Sequence, residues 1–346
     1  MTDLDEAPRT ARSIANDHPV LRRQWHPVAL ADEITDSPTR VVVCEQQLVL
    51  ARLADGVAVL PDTCPHRNAP LSAGQVVDGH LECPYHGWRF GADGGCRFIP
   101  ALGPDATLPP KAHLAAPLVR QAYGLVFVCL EPGADEPAPP MLAVPEWGAP
   151  GIVPVWLPVV TVRGGGAQLL DNFLDFTHFP FIHAGTFGAG EDSFVGDYDV
   201  DHDDVSLKVR YEHVVENKED PGVASGERPL LQPRTMEYTF TVPFAGRLRL
   251  ELPLTGVENT ILFWASPVDA DHSRVFCALL RNDVSGPDDA EAVAARDYEF
   301  GVLTEDVWML EQLPTTSLPL DLPAQAHTRA DRITVEMRRL LAAMVA

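Results

Sequence analysis

The sequence predicts an α+β chain: an all-β N-terminal domain, then a domain in which an antiparallel sheet is followed by late helices. Three observations carry this. Residues 25–130 run as short apolar stretches broken by Gly, Pro and Asp. A Pro-rich segment, Glu131-Pro-Gly-Ala-Asp-Glu-Pro-Ala-Pro-Pro140, then interrupts the chain. Beyond Gly151 a period-two alternation takes over and yields to helical periodicity near the C-terminus. Domains are expected at 20–135 and 151–346, with a stiff, extended Pro-rich linker at 136–150.

In the first domain Arg40–Cys44, Leu48–Arg52, Val57–Leu60 and Gly124–Leu130 read as strands. In the second, Val205–Tyr211, Met236–Val242, Arg247–Leu252 and Val275–Leu280 read as half-buried antiparallel strands. Helices are expected over Asp288–Leu313 and Ala330–Met344. The latter carries Ile333, Met337, Leu340, Leu341 and Met344 on one stripe. Strands first and helices last make the second domain α+β.

Composition narrows the function classes. Of 346 residues, 46% are hydrophobic and 22% charged, a globular balance. The formal charge of −23 excludes nucleic acid and anionic membrane surfaces as partners, since both need clustered Lys and Arg. The acidic N-terminus Met1–Glu6 lacks the basic-then-apolar pattern of a secretory signal, and no apolar run approaches the roughly 18 residues of a membrane span. A soluble cytoplasmic protein is expected. Six cysteines in a chain this long are not a disulfide framework. Cys44, Cys129 and Cys277 sit in apolar strand-like contexts as small hydrophobes, and Cys96 reads as a free turn thiol.

Two segments stand apart. Cys64-Pro-His66 and Cys83-Pro-Tyr-His86 each offer one thiolate and one imidazole, sixteen residues apart. A structural zinc site of Cys₂His₂ type is one reading, but zinc modules pair like ligands locally. The order C-x-H…C-x₂-H suits a Rieske [2Fe–2S] cluster, in which two cysteines hold one iron and two histidines the other.

The next segment, Asn172-Phe-Leu-Asp175-Phe-Thr-His178-Phe-Pro-Phe-Ile-His183, puts ligand-capable residues into an apolar stretch. On a helix Asn172, Asp175 and His178 share one face at i+3 steps. Pro180 should end or kink that helix, letting His183 meet His178 at one metal. Two histidines need a carboxylate to complete the facial triad of a non-haem Fe(II) site. In Phe300–Leu313 the apolar positions Val302, Leu303, Met309, Leu310 and Leu313 average to nearly the direction of Asp306. Glu305 lies about 100° to one side and, with Glu311, reads as an ordinary solvated charge.

These motifs together resemble the Rieske non-haem iron oxygenases over nearly the whole chain. The compact length is similar to that of the vanillate O-demethylase, dicamba monooxygenase and caffeine N-demethylase group. The resemblance implies a helix-grip second domain, a curved antiparallel sheet around a long helix. It implies that Cys64, His66, Cys83 and His86 hold a [2Fe–2S] cluster and that His178, His183 and Asp306 hold a mononuclear non-haem Fe(II). It further implies a terminal oxygenase that takes electrons from NAD(P)H through a ferredoxin or flavin-dependent reductase. Such an enzyme uses O₂ to hydroxylate or demethylate a small aromatic, heterocyclic or natural-product substrate. Cis-dihydroxylation of an arene is the alternative within the family, and a Rieske electron carrier without catalysis the alternative outside it. Asp175, with Asn172 beside it, is expected to serve catalysis by bridging His178 or His183 to His86 of the adjacent chain in a head-to-tail homotrimer. Arg67, Arg89 and Arg97 are expected to form a docking patch for the redox partner. Phe173, Phe176, Phe181, Phe187, Phe263 and Trp264 divide, unassigned, between substrate pocket and core.

Overall fold

In the computed structural model of the protein, residues 12–133, 138–188, 192–217 and 220–346 are described. The acidic N-terminus and part of the Pro-rich segment, residues 134–137, lie outside these. The chain divides into two compact units. Among the described residues no helix is long and apolar enough to cross a membrane.

One unit comprises residues 19–139 with 267–269. After the two-residue strand β1 (Ser13–Ile14), which belongs to the other unit, its strands follow in chain order. They are β2 (His26–Leu30), β3 (Thr39–Val43), β4 (Gln46–Leu53), β5 (Gly56–Pro61), β6 (Gln75–Val77), β7 (His80–Glu82), β8 (Arg89–Phe90), β9 (Cys96–Phe98), β10 (Leu118–Ala122) and β11 (Leu125–Cys129). They form three antiparallel sheets, β10-β11-β2, β3-β4-β5 and β6-β7-β8-β9. The core that carries the Cys/His loops is built from Val49, Leu60, Leu71, Leu81, Phe90 and Ile99, with Cys64 and Cys83 buried inside it.

Two cysteines differ from their expected setting. Cys44 is not a strand residue. With Glu45 it forms the two-residue turn between β3 and β4, both at positive φ (45° and 63°). Paired positive φ matches the right-handed twist of a hairpin and overrides the usual Asn-Gly preference. Cys96 is free, as expected, but it is buried and opens β9 rather than standing in the turn.

The other unit holds the rest of the described chain. Its strands are β12 (Val153–Trp156), β13 (Val160–Arg163), β14 (Val200–His202), β15 (Ser206–Glu216), β16 (Leu231–Thr241), β17 (Ala245–Leu252), β18 (Val257–Pro267), β19 (His272–Arg281) and β20 (Leu318–Pro319). An eight-stranded sheet runs β12-β19-β18-β17-β16-β15-β14, with β13 also on β19, and β20 pairs with β1. Its helices are α1 (Gly166–Leu174), α2 (Phe179–Ile182), α3 (Pro221–Ala224), α4 (Ala290–Glu311) and α5 (Arg332–Met344). The 22-residue α4 meets β12, β13, α1 and α2, so the antiparallel sheet with a long helix against it is the expected architecture. α5 buries Ile333, Met337, Leu340 and Leu341 against β14, β15 and α1, and Arg338 ties it to Asp171 of α1 through bonds of 2.7 and 3.1 Å.

The helix carrying Asn172 stops earlier than expected. α1 ends at Leu174, and Asp175 is extended (φ −83°, ψ 109°). Its Oδ1 accepts from the Thr177 backbone N–H (2.7 Å) and hydroxyl (2.6 Å). That local bond competes with the next helical turn. Pro180 breaks nothing; it sits in the first turn of α2, where its missing N–H is not needed. Asp175 and His178 therefore do not share a helical face. α1 also lies close on β17: a Cβ at Gly246 would fall 2.7 Å from the Phe173 ring, so that position accepts only glycine without a shift.

Candidate metal centres and substrate cavity

The two Cys/His loops have the same backbone scaffold. Cys64 N–H donates to Ala69 O (2.9 Å) and Asn68 N–H to Cys64 O (2.9 Å). In the second loop Cys83 N–H donates to Trp88 O (2.8 Å) and Gly87 N–H to Cys83 O (3.1 Å). The residue four after each cysteine, Asn68 or Gly87, is left-handed (φ 59° and 68°), which suits only those residue types well. This offset was the readable sign that the segments are twin loops.

The loops bring the His66 and His86 rings to 4.5 Å between centroids, and Trp88 stacks on His66 at 4.6 Å. Burial, together with the neighbouring Cys83 thiol, pushes Cys64 up to about 11. His66 Nδ1 is buried with no hydrogen-bond partner. Two buried thiols and an orphaned imidazole nitrogen form a donor set that calls for metal. Among the described residues, a group of three donor atoms all within 4.8 Å of one another is found at His178, His183 and Asp306. One thiolate and one imidazole from each loop suit a two-iron cluster with mixed ligation better than a single zinc ion.

The arginines near these loops do not make a free positive patch. Arg89 is held by Asp78 (2.7 Å) and Glu82 (2.8 Å), and Arg97 by Asp93 (2.7 Å) and Asp55 (3.7 Å). Arg67 remains exposed. The docking-patch expectation fails because each of the two charges is compensated on the spot.

In the other unit, His178 and His183 come from the turn before α2 and from its end, and Asp306 from α4. The two Nε2 atoms are 3.1 Å apart, and Asp306 Oδ1 lies 3.2 Å from the first and 3.1 Å from the second. Asn172 Nδ2 donates to the same oxygen at 3.2 Å. Burial lowers the basicity of His178, but Asp175 and Asp306 outweigh it and carry the imidazole to about 9. Burial likewise opposes ionisation of Asp306, yet the two histidines hold it down at about 2. The three groups stabilise positive charge at their point of convergence, which is what a divalent cation would supply.

Glu305 is not a solvated charge. Its Oε2 accepts from His183 Nδ1 at 2.7 Å and from the Thr186 hydroxyl at 2.9 Å. With the proton on Nδ1, the lone pair of His183 Nε2 is left facing Asp306 and His178. The imidazole spans the 100° between two successive helix positions, so Glu305 and Asp306 serve one ring from its opposite edges. Asp175 Oδ2 stands 3.7 Å from His178 Nδ1, an ion-pair distance too long for a hydrogen bond, and that nitrogen is buried without a partner.

A cavity of about 670 Å³ opens on these donors. Phe173 and Phe187 line it, whereas Phe176, Phe263 and Trp264 belong to the core and Phe181 is exposed. Met236, Leu250 and Ile261 form its apolar sheet wall. Sequence reasoning missed that α4 supplies another wall, from Glu291 to Asp306. The i, i+7 spacing of Glu299 and Asp306 was the available signal.

Comparison with known proteins follows the same division. Residues 24–118 match the Rieske [2Fe-2S] domain, and residues 165–346 match the vanillate O-demethylase oxygenase C-terminal domain. The chain is 28% identical over 341 residues to methylxanthine N1-demethylase NdmA of Pseudomonas putida, covering 95% of this chain and 91% of that protein. It is 29% identical over 344 residues to methylxanthine N3-demethylase NdmB of the same organism, covering 95% and 90%. The solved structure of Pseudomonas putida CBB5 NdmA with caffeine superposes with a TM-score of 0.81 at 26% identity, over 94% of this chain and 92% of that one.

Proposed function

The chain belongs to the Rieske oxygenases with a vanillate O-demethylase-type C-terminal domain, and we propose that it removes a methyl group oxidatively from a small aromatic or heterocyclic substrate. The observation that carries this reading is the convergence of His178, His183 and Asp306 donor atoms within 4.8 Å at the wall of a substrate-sized cavity. An electron carrier has no use for such a second donor set.

The reading assigns the [2Fe–2S] cluster to Cys64, His66, Cys83 and His86 in a domain over 20–135. The non-haem iron goes to His178, His183 and Asp306 in a domain over 151–346. When bound, the cluster relays single electrons from a ferredoxin or reductase, and the iron supplies O₂ activation. Glu305 orients the His183 imidazole, Asp175 supplies a negative charge beside His178, and Asn172 holds the Asp306 carboxylate. The apolar wall excludes water and presents the methyl group toward the donor set. One O₂ and two electrons, delivered with two protons, give a hydroxymethyl product and water. That product then breaks its O–CH₂ or N–CH₂ bond to release formaldehyde and the demethylated substrate.

Asp175 also suits transfer between subunits. Its carboxylate is partly exposed, and one oxygen is left over from the Thr177 bonds. In this reading that oxygen meets His86 of the partner subunit in a head-to-tail homotrimer, a heterologous interface that closes on itself. A cytoplasmic location, where NAD(P)H is made, belongs to the same reading.

The test supplies O₂, NAD(P)H and a reductase to the iron-loaded protein with methoxyarenes and N-methyl heterocycles. Formaldehyde in proportion to O₂ consumed is expected. Cis-diol without formaldehyde would replace this reading with dihydroxylation.

A further inference from the structure

Glu299 lines the cavity seven residues before Asp306, about 10 Å along the axis of α4 and on nearly the same face. Val302 lies between them, and Ala294 and Ala295 continue the wall with small side chains. Burial pushes the Glu299 carboxyl up to about 7, aided by Asp306 and opposed by His183 and Arg281. Two arginines on the same lining have partners of their own. Arg281 is held by Asp283 at 2.6 and 2.7 Å, and Arg234 Nε donates to His213 Nε2 at 2.9 Å. A carboxylate on a cavity wall is costly unless something donates to it, and here the open space beside it is the substrate's.

We propose that Glu299 determines specificity by accepting a hydrogen bond from an N–H or ammonium group at the end of the substrate remote from its methyl carbon. The substrate class is then a small N- or O-methylated aromatic or heterocycle that bears a donor nitrogen and no carboxylate. A carboxylate at that end would face both Glu299 and Glu291, while the lining Arg281 and Arg234 already have partners. This rests on the demethylase reading above.

The experiment measures calorimetric binding of 4-methoxybenzylamine, 4-methoxytoluene and 4-methoxybenzoate to the oxidised holoenzyme. Wild type, Glu299→Gln and Glu299→Leu are compared, and retained cluster colour and iron content show that each variant is folded. The wild type should bind the amine at least about tenfold more tightly than the other two. Glu299→Leu should abolish the preference, while Glu299→Gln, which keeps an acceptor oxygen, retains part of it. Equal binding of the three, tightest binding of the benzoate, binding of none, or a preference that survives Glu299→Leu overturns the proposal. Formaldehyde release is scored separately. An amine held through Glu299 but never demethylated sinks the demethylase reading and leaves this contact standing, whereas demethylation without Glu299-dependent selectivity does the reverse.

Discussion

Glu305 Oε2 accepts a hydrogen bond from His183 Nδ1 at 2.7 Å, across 122 residues of sequence and beside the Asp306 carboxylate that meets the other nitrogen of the same ring. An imidazole fixed from behind in this way keeps its second nitrogen aimed at one point. Glu305→Ala should weaken iron(II) binding about 10- to 100-fold while the cluster spectrum stays unchanged. Glu305→Gln, which keeps an acceptor oxygen, should lose less. Iron titration of the apo-protein measures both. An unchanged affinity in Glu305→Ala would return this residue to the solvated charge that its helix position suggested.

Asp306→Ala removes the carboxylate itself. Mononuclear iron and turnover should be lost together, with the cluster spectrum intact. Retention of that iron in Asp306→Ala would move the third donor elsewhere.

Cys83→Ala should bleach the cluster and destabilise the first unit, since the cluster crosslinks two loops. Cys96→Ser is the control: that thiol is buried and lies 3.8 Å from Phe98 O, so its loss should cost some stability and no colour. Visible absorption of both variants decides the ligand set.

The charge balance of the iron site sets a pH dependence. His178 is raised from 6.5 to about 9 in the folded apo-protein. Its imidazolium therefore stabilises the apo fold fully below pH 6.5, and that contribution is lost as pH rises toward 9. Metal binding runs the other way, because each ligand proton must leave. Iron(II) affinity should climb by up to about tenfold per pH unit and per proton released between pH 6.5 and 8.5. A flat affinity across that range would show that His178 does not gain or lose its proton on binding.

On the head-to-tail reading proposed above, Asp175→Ala should keep both metal centres and the assembly while slowing reoxidation of the reduced cluster in a single turnover with substrate and O₂. Reoxidation at the wild-type rate, or full activity in a monomer, would remove Asp175 from the electron path.

How far a residue was legible depends on the reach of the contact that defines it. Cys64, His66, Cys83 and His86 stood out as candidate ligands because each Cys/His pair sits within a six-residue loop whose turn chemistry is local. Asp306 could be placed through helical periodicity, which predicts a direction even when the partner is distant. The sheet and the two late helices followed from the same periodicities, and their ends differed by only a few residues. The break of α1 at Asp175 was misjudged, since Pro180 is the stronger breaker by residue type and the competing Asp175–Thr177 bond is a matter of side-chain rotamer.

By itself the sequence determined the family and the cofactors that family uses, and it offered two candidate donor sets, because those depend on residue type and short spacing. Tertiary structure alone decided that Glu305 faces His183 and that Glu299 faces the cavity, and it also decided that Arg89 and Arg97 are already paired. A carboxylate on an amphipathic helix carries no local mark of what it faces. Its role is set by whichever groups, more than a hundred residues away in the case of His183, the packing of α2 on α4 brings to within 3 Å of it.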